Sequence, residues 1–294
     1  MRFMFTVLVM LCLAFPAFAQ APLPPGVKAL RDLEYARVGE RALRLDLYLP
    51  EQAQEPLPLI IWIHGGGWQA GTKAVGPAHL QVLKYGFALA SVEYRLSGEA
   101  IFPAQIEDCK AAVRWLRANA RQYHLDPDSF GAWGSSAGGH LVALLGTSGG
   151  VKELEGNLGN AEVSSHVQAV CDLCGPSDFL RMVGQPSSID RRSANSPEAR
   201  FLGGPISENK EKARQASPIT YVSKDDPPFL IVHGSKDNVV PVNQSQLLYD
   251  ALKAAGVDAT LRIVEGAGHG VNSPDVQRQA LEFFQRHLKP APAT

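Results

Sequence analysis

The sequence predicts an α/β domain with a mainly parallel central sheet and helices on both faces. Short apolar runs alternate with segments of helical periodicity along most of the chain, and this alternation is typical of a parallel sheet. The run at 59–63 is apolar without a break, as expected of a strand that is covered on both faces. Polar residues suited to chemistry follow directly after several of these runs, at the edge where such sheets bind ligands.

The first half of the chain predicts an edge hairpin, two buried strands and a long helix. The elements expected there are the hairpin strands 34–37 and 44–49, the buried strands 59–63 and 87–94, and the helix 102–123. The hairpin is expected to turn at Gly39 and Glu40. The helix is expected because Ile106, Cys109 and Val113 recur at helical spacing.

The second half of the chain repeats strand and helix to its end. The expected strands are 129–133, 167–174, 229–232 and 260–264, and the expected helices are 139–145, 242–255 and 274–287. Gly256 is expected to stop the second of these helices. Residues 178–218 break the alternation, because they are rich in proline, glycine, serine and charge. We predict a small lid insertion over the site there, and a disordered surface loop is the alternative.

The N-terminal segment has the pattern of a secretory signal peptide. A basic second residue, an apolar stretch and a small-x-small cleavage site follow one another. The stretch is shorter than the about 20 apolar residues of a membrane-spanning helix, and an uncleaved anchor is the alternative. The expected organisation is a signal peptide at 1–19, an extended linker at 20–30 and the folded domain at 31–290. The cleaved chain is expected to be periplasmic or secreted, without a stable membrane anchor.

Charge and cysteine content exclude some classes of partner. The formal net charge is −1 and no basic run is interleaved with aromatic residues, so nucleic acid is not an expected partner. Beyond the expected signal peptide, Cys109, Cys171 and Cys174 are odd in number, which argues against a full disulfide framework. We interpret all three as small buried apolar residues, and no metal ligands stand near them in the sequence.

Residues 134–138 read Gly-Ser-Ser-Ala-Gly, the pattern G-x-S-x-G with Ser136 at its centre. The motif stands between a strand and a helix that are both expected to be buried. A strand, a tight turn and a helix lift the serine hydroxyl out of the sheet. The flanking residues must be small, because the two backbones approach each other closely in so sharp a turn. Ser136 is therefore the candidate nucleophile.

A serine nucleophile needs an adjacent base, and the base needs a carboxylate to orient it. His269 follows the last expected strand in a glycine-rich loop, and Asp237 follows the strand before it. Asp225 and Asp226 are rivals for the acid, but they precede that strand and so lie at the wrong end of the sheet. The sequence therefore predicts a triad of Ser136, Asp237 and His269, in that chain order.

The motif His64-Gly-Gly-Gly-Trp68 follows the first buried strand. Glycines let a backbone turn its N–H groups into a cavity, and such donors stabilise the oxyanion of an acyl-transfer reaction. The amides of Gly66, Gly67 and Ala137 are the expected oxyanion hole. Trp68 is expected to bind substrate as the floor of an acyl pocket, with packing against the loop as the alternative. His64 is interpreted as structural, bonding within its loop.

These motifs resemble those of the α/β-hydrolase superfamily, and within it the esterases with an HGGG-type oxyanion loop that are akin to hormone-sensitive lipases. More closely, the chain resembles bacterial secreted esterases that are grouped with bifunctional carbohydrate esterases and feruloyl esterases. The segments that carry the resemblance are 64–68, 94–97, 102–105, 133–139, 175–178, 216–218, 233–237 and 266–269. The chain departs from the pattern at 170–174, where an aromatic residue is common, and in a lid smaller than the cap of hormone-sensitive-type enzymes.

The resemblance implies a carboxylic-ester hydrolase with Ser136, Asp237 and His269 as its triad and with no metal or organic cofactor. Short-chain acyl esters are the expected substrates, either small soluble esters or acetylated and feruloylated carbohydrates. A serine peptidase of the prolyl-oligopeptidase type is one rival, and a non-catalytic binding protein on the same fold is another. Because a histidine base must be neutral, the rate of hydrolysis is expected to rise with pH through the range where histidine titrates.

Overall fold

The computed structural model describes residues 23–289, and the expected signal peptide at 1–19 lies outside the described residues. Eight strands of the described chain form one sheet. They are β1 (Val27–Val38), β2 (Arg41–Pro50), β3 (Leu57–Ile63), β4 (Ala88–Val92), β5 (Leu125–Ser135), β6 (Ala169–Leu173), β7 (Phe229–Gly234) and β8 (Ala259–Val264). Their order across the sheet is β1-β2-β4-β3-β5-β6-β7-β8.

The sheet is antiparallel only at its first edge. β2 runs antiparallel to both β1 and β4, and all other neighbouring strands are parallel. Val38 pairs with Arg41 in the β1–β2 hairpin, so the turn falls at Gly39 and Glu40 as the sequence predicts. The apolar run in β3 is explained by its position, because strands flank it on both sides and side chains cover both faces. The predicted mainly parallel sheet is confirmed.

Eight α-helices accompany the described strands. They are α1 (Ala104–Ala118), α2 (Ala137–Thr147), α3 (Lys152–Glu155), α4 (Phe179–Met182), α5 (Pro197–Leu202), α6 (Lys210–Gln215), α7 (Asn243–Ala254) and α8 (Pro274–Leu288). Two 3₁₀ helices lie at His79–Tyr85 and Pro218–Tyr221. No helix in the described range combines the length and the apolar character needed to cross a bilayer.

The helix expected at 102–123 is shorter than the sequence predicts. α1 begins only after Pro103, which stands at its N-cap. At the other end Asn119 terminates the helix, and the chain continues through turns to His124, whose φ of 57° is incompatible with helix. The apolar spacing at 106–116 identified the helix correctly. The turn residues that follow it donate backbone hydrogen bonds much as a helix does, which explains the overestimate.

Side chains pack against both faces of the sheet, as predicted. On one face α1, α2 and α7 contribute buried residues that include Ile106, Leu141 and Leu248. On the other face α8 and the first 3₁₀ helix contribute Phe284 and Val82. At about 25 cal/mol per Å² of apolar surface, burial of such side chains is the main force that holds the layers together. The sheet between them is a rigid base for the loops at its carboxyl edge.

Residues 178–218 fold into three short helices, which the sequence does not predict. α4 is capped by Asp178, whose side chain accepts from the amide of Arg181, and α5 is capped by Ser196 in the same way. Such side-chain caps satisfy N–H groups that have no partner inside a helix. The segment packs beside the carboxyl edge of the sheet, where β3, β5, β7 and β8 end in the loops that carry the candidate site residues.

Candidate active site

Ser136 stands at the sharp turn between β5 and α2. Its φ of 58° and ψ of −121° are strained for a residue with a side chain. Its amide donates to the carbonyl of Leu173 at 2.7 Å, which fixes the turn on the neighbouring strand. A Cβ atom at Gly138 would lie 2.1 Å from the carbonyl oxygen of Ile63, so only glycine fits there. The steric reason that the sequence suggests for the G-x-S-x-G motif is therefore present in the fold.

The three residues predicted as a triad are connected by two short hydrogen bonds. The hydroxyl of Ser136 lies 2.8 Å from Nε2 of His269, and Nδ1 of His269 lies 2.7 Å from Oδ2 of Asp237. A carboxylate only accepts, so Nδ1 carries the proton and Nε2 is free to accept from the serine. The rival Asp226 instead accepts from Ser223, at the other end of β7. The loops after three different strands thus bring nucleophile, base and acid together.

The carboxylate of Asp237 accepts more hydrogen bonds than the triad requires. Its Oδ1 accepts from the amides of Val239 at 2.8 Å and Val240 at 2.9 Å. Its Oδ2 also lies 3.1 Å from Nε2 of His233. Burial raises the pKa of the Asp237 carboxyl, but the hydrogen bonds from His233, His269 and Val239 outweigh burial and hold that pKa well below its usual range. Asp237 therefore stays ionised wherever the enzyme is folded.

His233 is a contact of the acid that sequence reasoning missed. It is fully buried, and its Nδ1 lies 2.6 Å from the hydroxyl of Ser245. Its Nε2 lies 2.9 Å from the carbonyl of Val240 as well as near Asp237, and both of these groups accept. The Nε2–H therefore donates into the acid turn, and the serine hydroxyl donates to Nδ1. The available signal is the spacing, since His233 opens the motif His233-Gly-Ser-Lys-Asp237.

The fold also brings Cys174 close to this pair. The ligand-type atoms of Cys174, His233 and Asp237 all lie within 4.8 Å of one another, although their spacing in the sequence does not predict a cluster. Burial raises the pKa of the Cys174 thiol, which keeps it protonated and a poor metal ligand. The carboxylate is already engaged with two histidines and two amides. The prediction that the three cysteines are buried and unpaired is confirmed in the described chain.

The loop His64–Trp68 presents free amides beside Ser136. Gly66 has a φ of 110°, and its carbonyl accepts from the amides of Gln69 and Ala70, which closes the loop into a tight turn. Within residues 23–289 the amides of Gly66, Gly67 and Ala137 donate to no protein acceptor. All three residues line a cavity of about 200 Å³ together with Ser136. These amides are thus available to an atom bound in the cavity.

His64 and Tyr94 hold the start of this loop. The His64 ring is buried and stacks on Tyr94 with ring centroids 4.4 Å apart, and its Nδ1–H donates to the carbonyl of Gly65 at 2.7 Å. The Tyr94 hydroxyl donates to the carbonyl of His64 at 3.0 Å. Burial lowers the pKa of His64, so the ring is neutral. These contacts agree with the structural interpretation of His64.

Trp68 lines the cavity and also packs into the core behind it. It is 2 % exposed and stacks on Phe201 with ring centroids 4.6 Å apart. Its Nε1–H donates to Nδ1 of His140 at 3.1 Å, and Nε2–H of His140 donates to the carbonyl of Ala216 at 2.7 Å. Burial lowers the pKa of His140 to about 4. His140 is thus a neutral, packed histidine that connects the glycine-rich loop to segment 178–218.

Segment 178–218 supplies the opposite side of the cavity. Ile189, Arg191, Pro197 and Glu198 line it there, beside Val240 of the acid turn. Arg191 and Glu198 form a buried ion pair with Nε and Oε1 3.1 Å apart. Burial raises the pKa of Glu198, with Arg191 acting against the rise. Sequence reasoning missed this pair, because two charged residues in a polar, loop-rich segment do not signal burial.

The whole chain was compared with known proteins. The BD-FAE family model matches residues 45–252, which is more than half of the 294 residues. Esterase LipC of Mycobacterium tuberculosis is 33 % identical over 266 residues, covering 87 % of this chain and 65 % of LipC. The chain spans about half to two thirds of the length of the curated relatives it matches.

Two solved structures extend these similarities to the fold. A truncated carbohydrate esterase from gut microbiota has a TM-score of 0.79 and 38 % identity, covering 88 % of this chain and 95 % of that chain. A bifunctional GH43-CE protein of Bacteroides eggerthii has a TM-score of 0.80 and 38 % identity, covering 88 % of this chain and 35 % of that chain.

Proposed function

The chain belongs to the BD-FAE family of α/β-hydrolase esterases, and we propose that it hydrolyses short-chain carboxylic esters through an acyl-enzyme on Ser136. The observation that carries the proposal is the hydrogen-bonded row from Ser136 through His269 to Asp237 beside a cavity lined by three free amides. A nucleophile, a base with its orienting acid and an oxyanion site are the parts that acyl transfer needs.

In the proposed mechanism Ser136 attacks the ester carbonyl while Nε2 of His269 takes the hydroxyl proton. The imidazolium that forms is stabilised by the carboxylate of Asp237, which stays ionised throughout. His269 then returns the proton to the leaving alcohol, and the acyl group remains on Ser136. Water attacks the acyl-enzyme with the same histidine as base, and the acid is released.

The oxyanion of each tetrahedral intermediate is held by the amides of Gly66, Gly67 and Ala137. These amides have no competing protein acceptor, so a substrate oxygen meets donors that need no rearrangement. Preorganised donors of this kind are each worth roughly a hundredfold to a thousandfold in rate. The positive end of α2, which begins at Ala137, adds to the stabilisation.

The size of the cavity favours small acyl groups. At about 200 Å³ it is below the roughly 300–1,000 Å³ of pockets that enclose drug-sized ligands. Its lining is mostly apolar, with Trp68 and Val240 among the residues, as suits an alkyl or aryl group. Similarity to a carbohydrate esterase supports acetylated or feruloylated carbohydrates as the natural esters. Small soluble esters fit the same cavity.

Hydrolysis of p-nitrophenyl esters from acetyl to laurate, beside acetylated xylan and methyl ferulate, tests the proposal. Activity is expected to be greatest for the shortest acyl chains. Ser136→Ala removes the nucleophile and is expected to lower kcat by up to roughly a millionfold. Unchanged thermal unfolding of the variant establishes that the loss is chemical.

Two results would count against this function. Near-normal turnover by a folded Ser136→Ala variant would exclude the acyl-enzyme on this residue. Folded wild-type protein that cleaves amides but no ester would favour the peptidase rival, and failure to react with a fluorophosphonate would favour a non-catalytic protein. A burst of p-nitrophenol equal to the enzyme concentration is the positive sign of the acyl-enzyme.

We also propose that the chain is exported with cleavage near Gln20, because residues 1–19 have the composition of a signal peptide. The mass and N-terminal sequence of the protein recovered outside the inner membrane test this. A recovered chain that still begins at Met1 would instead favour the uncleaved anchor.

A further inference from the structure

The position of the Asp237 carboxylate depends on the turn that follows it. Residues 237–240, here named the acid turn, bend so that the amides of Val239 and Val240 both donate to Oδ1. The other oxygen, Oδ2, is thereby directed at His269. A displacement of this turn therefore displaces the group that orients the base.

The acid turn is held from outside by segment 178–218. The carbonyl of Asn238 accepts from the amide of Ser188 at 2.6 Å and from its hydroxyl at 2.8 Å. The carbonyl of Val239 accepts from the hydroxyl of Ser187 at 2.9 Å and from Nη2 of Arg191. Each carbonyl belongs to the peptide unit just before one of the two amides that bind Asp237. The segment therefore grips the peptide groups that aim the carboxylate.

Arg191 is fixed in turn by Glu198. The two side chains are 3 % and 4 % exposed and meet at 3.1 Å. Nη1 of Arg191 and Oε2 of Glu198 have no hydrogen-bond partner. A buried ion pair with unpaired atoms is a poor source of stability, since hydrophobic residues of similar volume often serve as well or better. Stability alone thus gives little reason for this pair beside the cavity.

We propose that Arg191 is a positioning residue for the triad, which acts through the carbonyl of Val239 to hold the acid turn, while Glu198 holds Arg191. The inference rests on the proposed function of Ser136, His269 and Asp237. It makes segment 178–218 part of the catalytic apparatus as well as a wall of the cavity. Displacement of the turn by a fraction of an ångström is enough to misalign the base, and misalignment of about 1 Å costs about a hundredfold in rate.

Three variants separate positioning from stability. Arg191→Met leaves the Glu198 carboxylate buried without a partner, so a lower Tm is expected. Adding Glu198→Met removes that orphan charge and is expected to restore Tm, because methionine fills irregular spaces. Arg192→Met is the matched control, since Arg192 is the adjacent arginine and its side chain is exposed.

The expected result is a kcat about tenfold to a hundredfold lower in both Arg191 variants, whatever their Tm. The loss is expected to be equal for acetyl and butyryl esters, because the acid turn serves every substrate. Arg191→Lys is expected to recover part of kcat, since its ammonium donates to one carbonyl without the second contact. Recovery of kcat together with Tm in the double variant would overturn the inference. So would a change confined to KM that depends on acyl length, which indicates a wall residue only.

Amide hydrogen exchange gives a readout that does not require turnover. The amides of Val239 and Val240 are expected to exchange faster in the double variant than in wild type and in Arg192→Met. If wild-type protein hydrolyses no ester, the proposed function fails, and the exchange comparison alone decides whether Arg191 holds the turn. Unchanged exchange at these two amides would overturn the inference while leaving the proposed function intact.

Discussion

The cavity beside Ser136 has two walls that are held by different means. The backbone wall consists of the loop His64–Trp68 and the elbow at 134–138, and peptide groups at positive φ shape it. The side-chain wall consists of residues 187–198 and the acid turn, and hydrogen bonds from serine and arginine side chains shape it. One wall presents amides to an oxyanion, and the other orients the base.

The difference concerns how far apart the determinants lie. In the backbone wall a few adjacent residues decide the geometry, and addition of a single methyl group is not tolerated where backbones touch. In the side-chain wall Arg191 and Val239 are 48 positions apart, and no local rule connects them. The backbone wall is therefore legible in the sequence and sensitive to volume, whereas the side-chain wall is hidden in the sequence and sensitive to charge and donor placement.

Asp237→Asn is the change with the largest expected effect and tests the side-chain wall. Asparagine keeps the shape of the side chain but replaces one acceptor oxygen with an N–H donor. His269 then loses the partner that fixes the proton on Nδ1, and the wrong tautomer cannot accept from Ser136. We expect kcat to fall by about ten-thousandfold with the fold retained. Steady-state kinetics on p-nitrophenyl acetate and circular dichroism measure the two quantities.

The control for this variant is Asp225→Asn. Asp225 is exposed at the opposite end of β7 and is one of the acids that the sequence left as a rival. Its replacement is expected to leave kcat within twofold of wild type. A large loss in Asp225→Asn, or a small one in Asp237→Asn, would show that the acid of the triad is misassigned.

Gly66→Ala is expected to have the next largest effect and tests the backbone wall. The new Cβ atom would lie 2.1 Å from the carbonyl oxygen of Ala70, and the φ of 110° is itself unfavourable for alanine. The loop must move, and the amides of Gly66 and Gly67 then leave the cavity. We expect a loss of about a hundredfold to a thousandfold in kcat, the value of one oxyanion donor.

Gly98→Ala is the matched control for the loop. Gly98 lies in the loop after β4, has no positive φ, and a Cβ atom there meets nothing within 4 Å. Its kinetics and Tm are expected to match wild type. If Gly66→Ala retains full kcat in a folded protein, the amides of this loop do not hold the oxyanion and the comparison of the two walls loses its basis.

The fold and the backbone wall were largely predictable from the sequence. Apolar runs identified every central strand, because a strand covered on both faces admits few polar residues. The elbow and the loop at 64–68 were predictable because close backbone approach admits only glycine at particular positions. Helix ends were less predictable, as α1 shows, since the turn at 119–124 reuses the hydrogen bonds of a helix.

The side-chain wall was not predictable, for a physical reason. α5 and α6 have six residues each, too few to show helical periodicity in the sequence. Arg191 and Glu198 resemble solvent-exposed charges until the fold buries them together. His233 shows the same limit, because its bond to Asp237 depends on how the acid turn bends. Residues that act through tertiary contacts carry no local pattern.

His140 joins the two walls, and its titration is expected to give the smallest effect. The ring accepts from Trp68 of the backbone wall and donates to the carbonyl of Ala216 in segment 178–218. Burial lowers its pKa from 6.5 to about 4. The unfolded chain therefore binds a proton more readily, so the stability that neutral His140 contributes is complete above pH 6.5 and is lost as pH falls toward 4. We expect this loss to be about 2–3 kcal/mol.

Comparison of wild type with His140→Gln isolates this contribution from other buried groups. Burial raises the pKa of Asp172 to about 6, so Asp172 acts in the opposite direction, with stability that declines as pH rises from 3.8 to 6. Both proteins carry Asp172, and the difference between their urea unfolding curves at pH 7.5 and 4.5 therefore reports on His140. We expect the free energy of unfolding to decline more steeply in wild type than in His140→Gln, and His166→Gln, which removes an exposed histidine, to follow wild type. Parallel declines in wild type and His140→Gln would mean that the ring takes up its proton without breaking the contact between the walls, and that the two walls are stabilised independently.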